Sequence, residues 1–212
     1  MADLRHNLEE VRDEIAQAAA RAGRDPAEVE ICAATKYVSI EDMGALAEAG
    51  ISLVGENRAQ DLQAKHARWG DRFSWDFIGH LQSRKVKAVL PYVRLIHSVA
   101  SDSVLRQLER HADRDTEVLV EVNLAGEEGK SGIAPAELDG FLERCPVRVV
   151  GLMTMPPLTE RPEDSRPHFA ALRELAERHR LPRLSMGTTQ DFAVAVEEGA
   201  TILRVGTRLY QA

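Results

Sequence analysis

Cysteine is scarce in this chain: Cys32 and Cys145 are the only two among 212 residues. That is too few for a disulfide framework, and their separation matches no metal-ligand set. Both read as structural thiols, and no metal site is expected. Long apolar runs are missing too. Nothing approaches the roughly 20 residues of a membrane span, and the opening Met1-Ala2-Asp3-Leu4-Arg5-His6 lacks a signal-peptide core, so a cytoplasmic location is expected. Positive charge is outweighed, with 27 Lys and Arg against 34 Asp and Glu and a formal net charge of −7. That balance argues against a nucleic-acid or anionic-membrane surface, yet leaves room for a local pocket that takes a small anion. Low-complexity segments and linkers are lacking as well. The Pro156-Pro157 and Arg161-Pro162 stretch reads as a long loop and not as a boundary. With 44% hydrophobic residues, the chain can bury a full core, and residues 1–212 are read as one domain.

What is present is alternation. Eight short apolar or β-branched runs recur, at 30–35, 51–54, 74–78, 94–98, 117–123, 147–153, 183–186 and 201–205. Between them lie stretches of helical period with charged faces, at 39–49, 57–69, 81–90, 102–110, 135–144, 163–180 and 189–198. Strand then helix, seven times over, implies right-handed parallel crossovers. The eighth strand has almost no chain after it to form a covering helix. The segment Leu4 to Ala22, with Leu4, Leu8, Val11, Ile15 and Ala18 on one face and Gly23 as its stop, supplies a replacement. The expected fold is a single (β/α)8 TIM barrel whose N-terminal helix covers the seam between the last and first strands. A doubly wound open sheet is the runner-up.

In a parallel barrel, active sites are built at the carboxyl ends of the strands. The residues there are Lys36, Gly55-Glu56-Asn57, Gly79-His80, Ser98, Asn123, Met153-Thr154, Gly187-Thr188-Thr189 and Gly206-Thr207. Turns favour Gly, Asn, Ser and Thr in any case, but that does not account for Lys36. A primary amine attacks a carbonyl only when unprotonated, and lysine near its usual pKa of about 10.4 is mostly protonated at neutral pH. A site that desolvates the amine lowers that value and permits Schiff-base chemistry. The run from Ser185 to Asp191 leads from the seventh strand into a helix, where free N–H groups favour an anion. Thr188 or Thr189 is equally compatible with an ordinary helix cap. Period two places Ile202, Arg204 and Gly206 on one face of the last strand, and a guanidinium there needs a wet cavity or a partner such as an interior carboxylate. A lysine nucleophile, a phosphate cradle and an arginine suggest an aldehyde-bearing phosphate cofactor, for which pyridoxal phosphate is the natural candidate. A sugar-phosphate aldolase without cofactor needs the same two groups.

The motifs Ala33-Ala34-Thr35-Lys36, Gly55-Glu56-Asn57-Arg58-Ala59-Gln60-Asp61, Trp75-Asp76-Phe77-Ile78-Gly79-His80-Leu81-Gln82-Ser83, Ile96-His97-Ser98-Val99, Gly126-Glu127-Glu128-Gly129-Lys130-Ser131-Gly132, Gly151-Leu152-Met153-Thr154-Met155, Leu184-Ser185-Met186-Gly187 and Arg204-Val205-Gly206-Thr207 occur in this order. Together they resemble the pyridoxal phosphate homeostasis protein family, itself similar to the N-terminal barrel of alanine racemase, over essentially the whole chain. The resemblance implies that Lys36 carries pyridoxal 5′-phosphate as a Schiff base and that Arg204 faces the pyridine nitrogen. It implies that Thr189 with the Gly206-Thr207 backbone holds the phosphate, and that Asn57, His80 and Met186 line the pocket. A cation opposite the ring nitrogen disfavours its protonation and weakens the ring as an electron sink.

The chain departs from the family pattern at Arg84, Ala100 and Thr188-Thr189-Gln190, although Thr189 keeps a hydroxyl. Two functional classes follow. One is a carrier of pyridoxal phosphate in vitamin B6 homeostasis, with apoenzymes as recipients, no catalytic residue and a monomeric state. The other is a pyridoxal-phosphate-dependent amino-acid racemase or related fold-type III enzyme. Two-base racemisation needs a second acid or base, which alanine racemase-like enzymes take as a tyrosine from a C-terminal domain, and this chain stops at Ala212. Tyr37, next to Lys36, is expected to point to the other face by strand alternation. The carrier reading is favoured.

Overall fold

A computed structural model describes residues 3–127 and 129–210. Glu128, within the glycine-rich run after the fifth strand, and the ends of the 1–212 span lie outside the described residues. Eight parallel strands close on themselves in sequence order. They are β1 (Glu30–Ala34), β2 (Leu53–Glu56), β3 (Ser74–Phe77), β4 (Leu95–Val99), β5 (Glu117–Glu121), β6 (Arg148–Met153), β7 (Arg183–Thr188) and β8 (Ile202–Val205). Closure comes from β8 pairing with β1, where Cys32 stands opposite Arg204 and Ala33 opposite Val205. The fold is the expected TIM barrel.

The helices are α1 (Leu4–Arg21), α2 (Met43–Glu48), α3 (Ala59–Trp69), α4 (Val86–Val89), α5 (Asp102–His111), α6 (Leu138–Arg144), α7 (Arg166–His179), α8 (Phe192–Glu197) and α9 (Thr207–Tyr210). Helix α1 starts on an Asp3 side chain that accepts from the His6 N–H, which satisfies one of the donors a helix start leaves open. Its Leu8, Val11, Ile15, Ala18 and Ala19 are buried. Among the described residues β8 is followed by the single turn of α9, and α1 packs on α8 and α9. Asn7 donates to the Leu209 carbonyl, Arg208 pairs with Glu10 and Glu14, and Arg24 caps the Val196 and Ala200 carbonyls. The leading helix therefore covers the closing seam.

Two elements differ from the sequence pattern. Residues 81–90, expected as one helix, form a single α-helical turn between two 3-10 turns at Ser83–Lys85 and Leu90–Tyr92. Pro91 removes a backbone donor and ends the α turn near its expected boundary, while residues 83–85 take the tighter 3-10 form before Val86. Strands β2 and β7 run further than expected, because pairing with β3 draws in Gly55 and Glu56 and pairing with β8 reaches Thr188. Neighbouring ladders override local propensity here.

Two layers of core result. A larger one lies between sheet and helices, and a small one of Cys32, Leu53, Leu95, Leu119, Val150, Met153 and Ile202 fills part of the barrel interior. Among the described residues no helix is long and apolar enough to cross a membrane. If α1 is a structural member of the barrel, Ile15→Ala should cost about 2–5 kcal/mol of unfolding free energy. Urea unfolding checks this, and a loss below about 0.5 kcal/mol would make α1 a peripheral appendage.

Candidate functional site

The strand ends gather polar groups at one rim, beginning with β1. Its last residue is Ala34, buried Thr35 follows, and Lys36 sits in the turn beyond, exposed. Lys36 thus lies just past the carboxyl end of the first strand, its amine 4.8 Å from the centre of the exposed Tyr37 ring. Strand alternation does not separate Lys36 from Tyr37, because both belong to the turn.

The turn is held from below. Lys65 of α3 donates to the Thr35 carbonyl at 2.6 Å and pairs with Glu56 Oε1, which also accepts from Thr35 Oγ1 at 2.6 Å. All three residues are buried. An ion pair this deep requires further hydrogen bonds to offset its desolvation, and the Thr35 groups supply them. Glu56 Oε2 accepts from the Asn57 N–H at 3.3 Å.

Across the closing seam, Gly206 follows β8 beside Ala34, and a Cβ built on it would meet only Ala34, its Cβ at 3.6 Å and its carbonyl oxygen at 3.9 Å. Thr189 Oγ1 accepts from the Gly206 N–H at 3.2 Å and from the Arg208 N–H at 3.4 Å. Three groups able to bind one oxyanion therefore converge two residues from Lys36 in register. Thr207 is the exposed first residue of α9. Neither threonine caps the helix: the N-cap of α8 is Asp191, whose Oδ1 accepts from the Thr188 N–H and hydroxyl at 2.7 and 3.1 Å.

Arg204 points into the barrel and is 4% exposed. The interior carboxylate considered as its partner is not found at ion-pair distance among the described residues. Instead Nη1 donates to Ser185 Oγ at 2.6 Å and Nη2 to the Thr154 carbonyl at 2.9 Å, while Nε has no partner. Beyond Ser185 the polar chain continues. Ser185 Oγ lies 2.8 Å from His97 Nδ1, and His97 Nε2 lies 3.1 Å from Asp76 Oδ2. Asp76 accepts from Arg94 at 3.1 and 2.9 Å, and Arg94 reaches Glu30 at the amino-terminal edge of β1. Burial pushes the His97 imidazole below its ordinary value and keeps it neutral. Asp76 is pulled below the usual carboxylate range by its bonds to His97 and Arg94, against the opposing effect of burial.

The remaining expected residues divide. Asn57 stands at the end of β2, its Oδ1 buried without a partner. Its backbone is so close to Gly79 that a Cβ there would meet Asn57 O at 2.2 Å, so only glycine fits that crossing. His80 is exposed and turned toward the loop after β5, where Nδ1 lies 3.1 Å from Ser131 Oγ; that hydroxyl donates to Glu121 at 2.8 Å. Glu121 is raised above its usual value by burial. Met186 is a correction: Ser185 turns inward, so its successor packs with Leu184 between sheet and helices, and the Met186 side chain does not line the interior. A groove of about 500 Å³ flanks the cradle, bordered by Met155, Leu158, Thr188 and Gln190. A cleft of about 530 Å³ between α1 and the amino-terminal ends of β1 and β2 holds none of these groups.

Sequence reading missed Lys65, Ser185, His97 and Asp76 as site residues. Their signals were present: Lys65 falls in the apolar stripe of Ala59, Leu62 and Trp69, and Asp76 and His97 interrupt apolar strands.

The alanine racemase, N-terminal domain family model matches residues 2–212. The pyridoxal phosphate homeostasis protein of Aquifex aeolicus is 41% identical, over 96% of this chain and 95% of its own length. A crystal structure of an unknown protein from Bifidobacterium adolescentis matches with a TM-score of 0.91 and 33% identity, covering 98% of this chain and 94% of that one. PipY of Synechococcus elongatus, solved with PLP bound, matches with a TM-score of 0.77 and 32% identity, covering 92% and 99%.

Two measurements test the electrostatics of the site. Lys65→Met leaves Glu56 buried without its cation and should cost about 3–5 kcal/mol in urea unfolding, partly recovered by adding Glu56→Gln. His97, held below its ordinary value in the fold by burial, takes up a proton first in the unfolded chain as pH drops below about 6.5. The unfolded state then holds more protons, so stability falls with falling pH by up to about 1.4 kcal/mol per unit from this group. Unfolding midpoints at pH 7, 6 and 5 should show a shallower decline in His97→Asn; equal slopes would mean that His97 is protonated in the fold.

Proposed function

The chain belongs to the pyridoxal phosphate homeostasis protein family, and on that premise we propose that it binds pyridoxal 5′-phosphate at the carboxyl-terminal rim of the barrel, with Lys36 as the covalent anchor. The observation that carries this reading is the juxtaposition across the β8–β1 seam: a lysine amine, an oxyanion cradle and a guanidinium with an unused nitrogen. When bound, pyridoxal phosphate supplies an aldehyde carbon that condenses with a primary amine, a pyridine nitrogen and a phosphate dianion. The residues fit those three features. Arg204 Nε and Asn57 Oδ1 are buried polar atoms without protein partners, and such atoms carry a desolvation cost that a ligand's polar atoms would offset.

Each residue has a part in the proposal. The Gly206 and Arg208 N–H groups donate to a phosphate oxygen, which frees the Thr189 hydroxyl to donate to the same group. Arg204 presents a donor to the ring nitrogen and, as a cation, keeps a proton off it. Lys65 and Glu56 fix the Thr35 carbonyl and with it the turn that bears Lys36. The exposed turn lets the amine reach a carbonyl arriving from solvent and lets it leave again, as a carrier requires.

We further propose a holding role without fast catalysis, with pyridoxal-phosphate-dependent apoenzymes as recipients, a monomeric state and residues 1–212 acting as one binding unit. The racemase alternative needs a second acid or base across the substrate from Lys36. Tyr37 is 82% exposed beside Lys36 itself, on the wrong side for that task.

Purified protein supplied with pyridoxal phosphate should turn yellow, borohydride should fix the cofactor to Lys36, and Lys36→Ala should stay colourless; labelling of another lysine would overturn the assignment. Turnover of D- or L-alanine at ordinary enzyme rates, about 1 per second or more, would replace the carrier reading with the racemase one.

A further inference from the structure

With His97 neutral, the buried chain below Arg204 admits one arrangement of hydrogens, because Asp76, held ionised by Arg94, only accepts and so requires the ring proton on Nε2. A guanidinium donates and never accepts, so Arg204 Nη1 takes up acceptor capacity on Ser185 Oγ. The single Ser185 hydroxyl hydrogen is left for His97 Nδ1, 2.8 Å away. Nδ1 is then an acceptor, the ring proton resides on Nε2, and Nε2 donates to Asp76. At the far end Arg94 is again donor-only, and its two bonds hold Asp76 as the acceptor on which the chain terminates. Arg204, Ser185, His97 and Asp76 are all buried, so no bulk water competes for these positions, and polar networks at low dielectric are held tightly when every member is satisfied. Thr154 grips the other terminal nitrogen of Arg204. With both Nη atoms engaged, the guanidinium plane is fixed and Nε alone lacks a partner.

We propose that Ser185, His97 and Asp76 are positioning residues that aim Arg204 Nε–H at the ring of the bound cofactor and make the site selective for an unprotonated, unsubstituted pyridine nitrogen. This rests on the reading that pyridoxal phosphate occupies the rim. An acceptor nitrogen satisfies Nε–H, whereas a ring carrying hydrogen or methyl at that position sets two donors, or a donor and a methyl group, against each other next to a cation. Specificity of this kind is strong, because the penalty falls on a buried polar group left unpaired.

The test compares pyridoxal phosphate with its N1-methyl derivative on the full-length protein, following uptake by absorbance. Wild type should favour pyridoxal phosphate at least about tenfold, and Ser185→Ala and His97→Phe should shrink that preference to about threefold or less, while Lys36 labelling by borohydride persists. A preference unchanged in both folded variants overturns the inference, as does equal uptake of both compounds by wild type with the cofactor reading intact. Uptake of neither by wild type overturns the cofactor reading together with this one. Nitrogen-15 spectra of the cofactor-free wild type supply a readout independent of ligand and of variant folding: a neutral His97 protonated at Nε2 is expected, and an Nδ1–H tautomer or an imidazolium at pH 7 reverses the chain and overturns the proposal.

Discussion

The pairing of β8 with β1 is the constraint on which everything else in this molecule depends. In an open sheet those two strands would be opposite edges, and Lys36 and Gly206 would stand as far apart as the sheet is wide. Closure sets Cys32 against Arg204 and Ala33 against Val205, which brings the Lys36 turn beside the Thr189 and Gly206 cradle. Closure also removes the two sheet edges that would otherwise present unpaired backbone groups. The seam is covered from the other end of the chain. Helix α1 covers it with a buried apolar face and with polar ties from Asn7, Arg24, Glu10 and Glu14 to the segments around α8 and α9.

The barrel's interior shows what that closure encloses. A small barrel is filled by side chains, and here a small apolar cluster shares the interior with Asp76, His97, Ser185, Glu121 and Arg204. Burying a guanidinium is costly. The structure offsets the cost without a direct carboxylate, through the Thr154 carbonyl and the chain of Ser185, His97 and Asp76. The negative charge at Asp76 is balanced in turn by Arg94, which is partly open to solvent and paired with Glu30. A direct ion pair at Arg204 would have tied its donors to a carboxylate and left none for a ligand. The indirect arrangement keeps the cation in place and its Nε unspent.

Legibility of the site followed the physics of each feature. Lys36, Thr189, Arg204 and Gly206 were readable because strand ends in a parallel barrel are predictable from alternation, and polar residues at those positions stand out. The registers of individual side chains were less so. The family resemblance implied that Met186 lines the pocket, whereas the hydrogen bonds of Ser185 to His97 and Arg204 show that Ser185, its neighbour, faces the interior. Period two failed at Lys36 and Tyr37, because alternation applies within a strand and β1 ends at Ala34. The fourth helix was read too long because residues 81–85 share its helical period but form a 3-10 turn and irregular chain before Val86.

The sequence by itself determined the class of fold, the covering role of the leading helix and the types of group at the rim, since these depend on periodicities and on residues local to each strand end. Only the tertiary structure decided which groups meet. Lys65 and Glu56 are nine positions apart and join at Thr35, and Ser185, His97 and Asp76 come from three strands to form one chain under Arg204. Such contacts depend on the stagger of strands around a closed barrel. No single segment encodes that stagger, because it arises from the requirement that all eight ladders be satisfied at once.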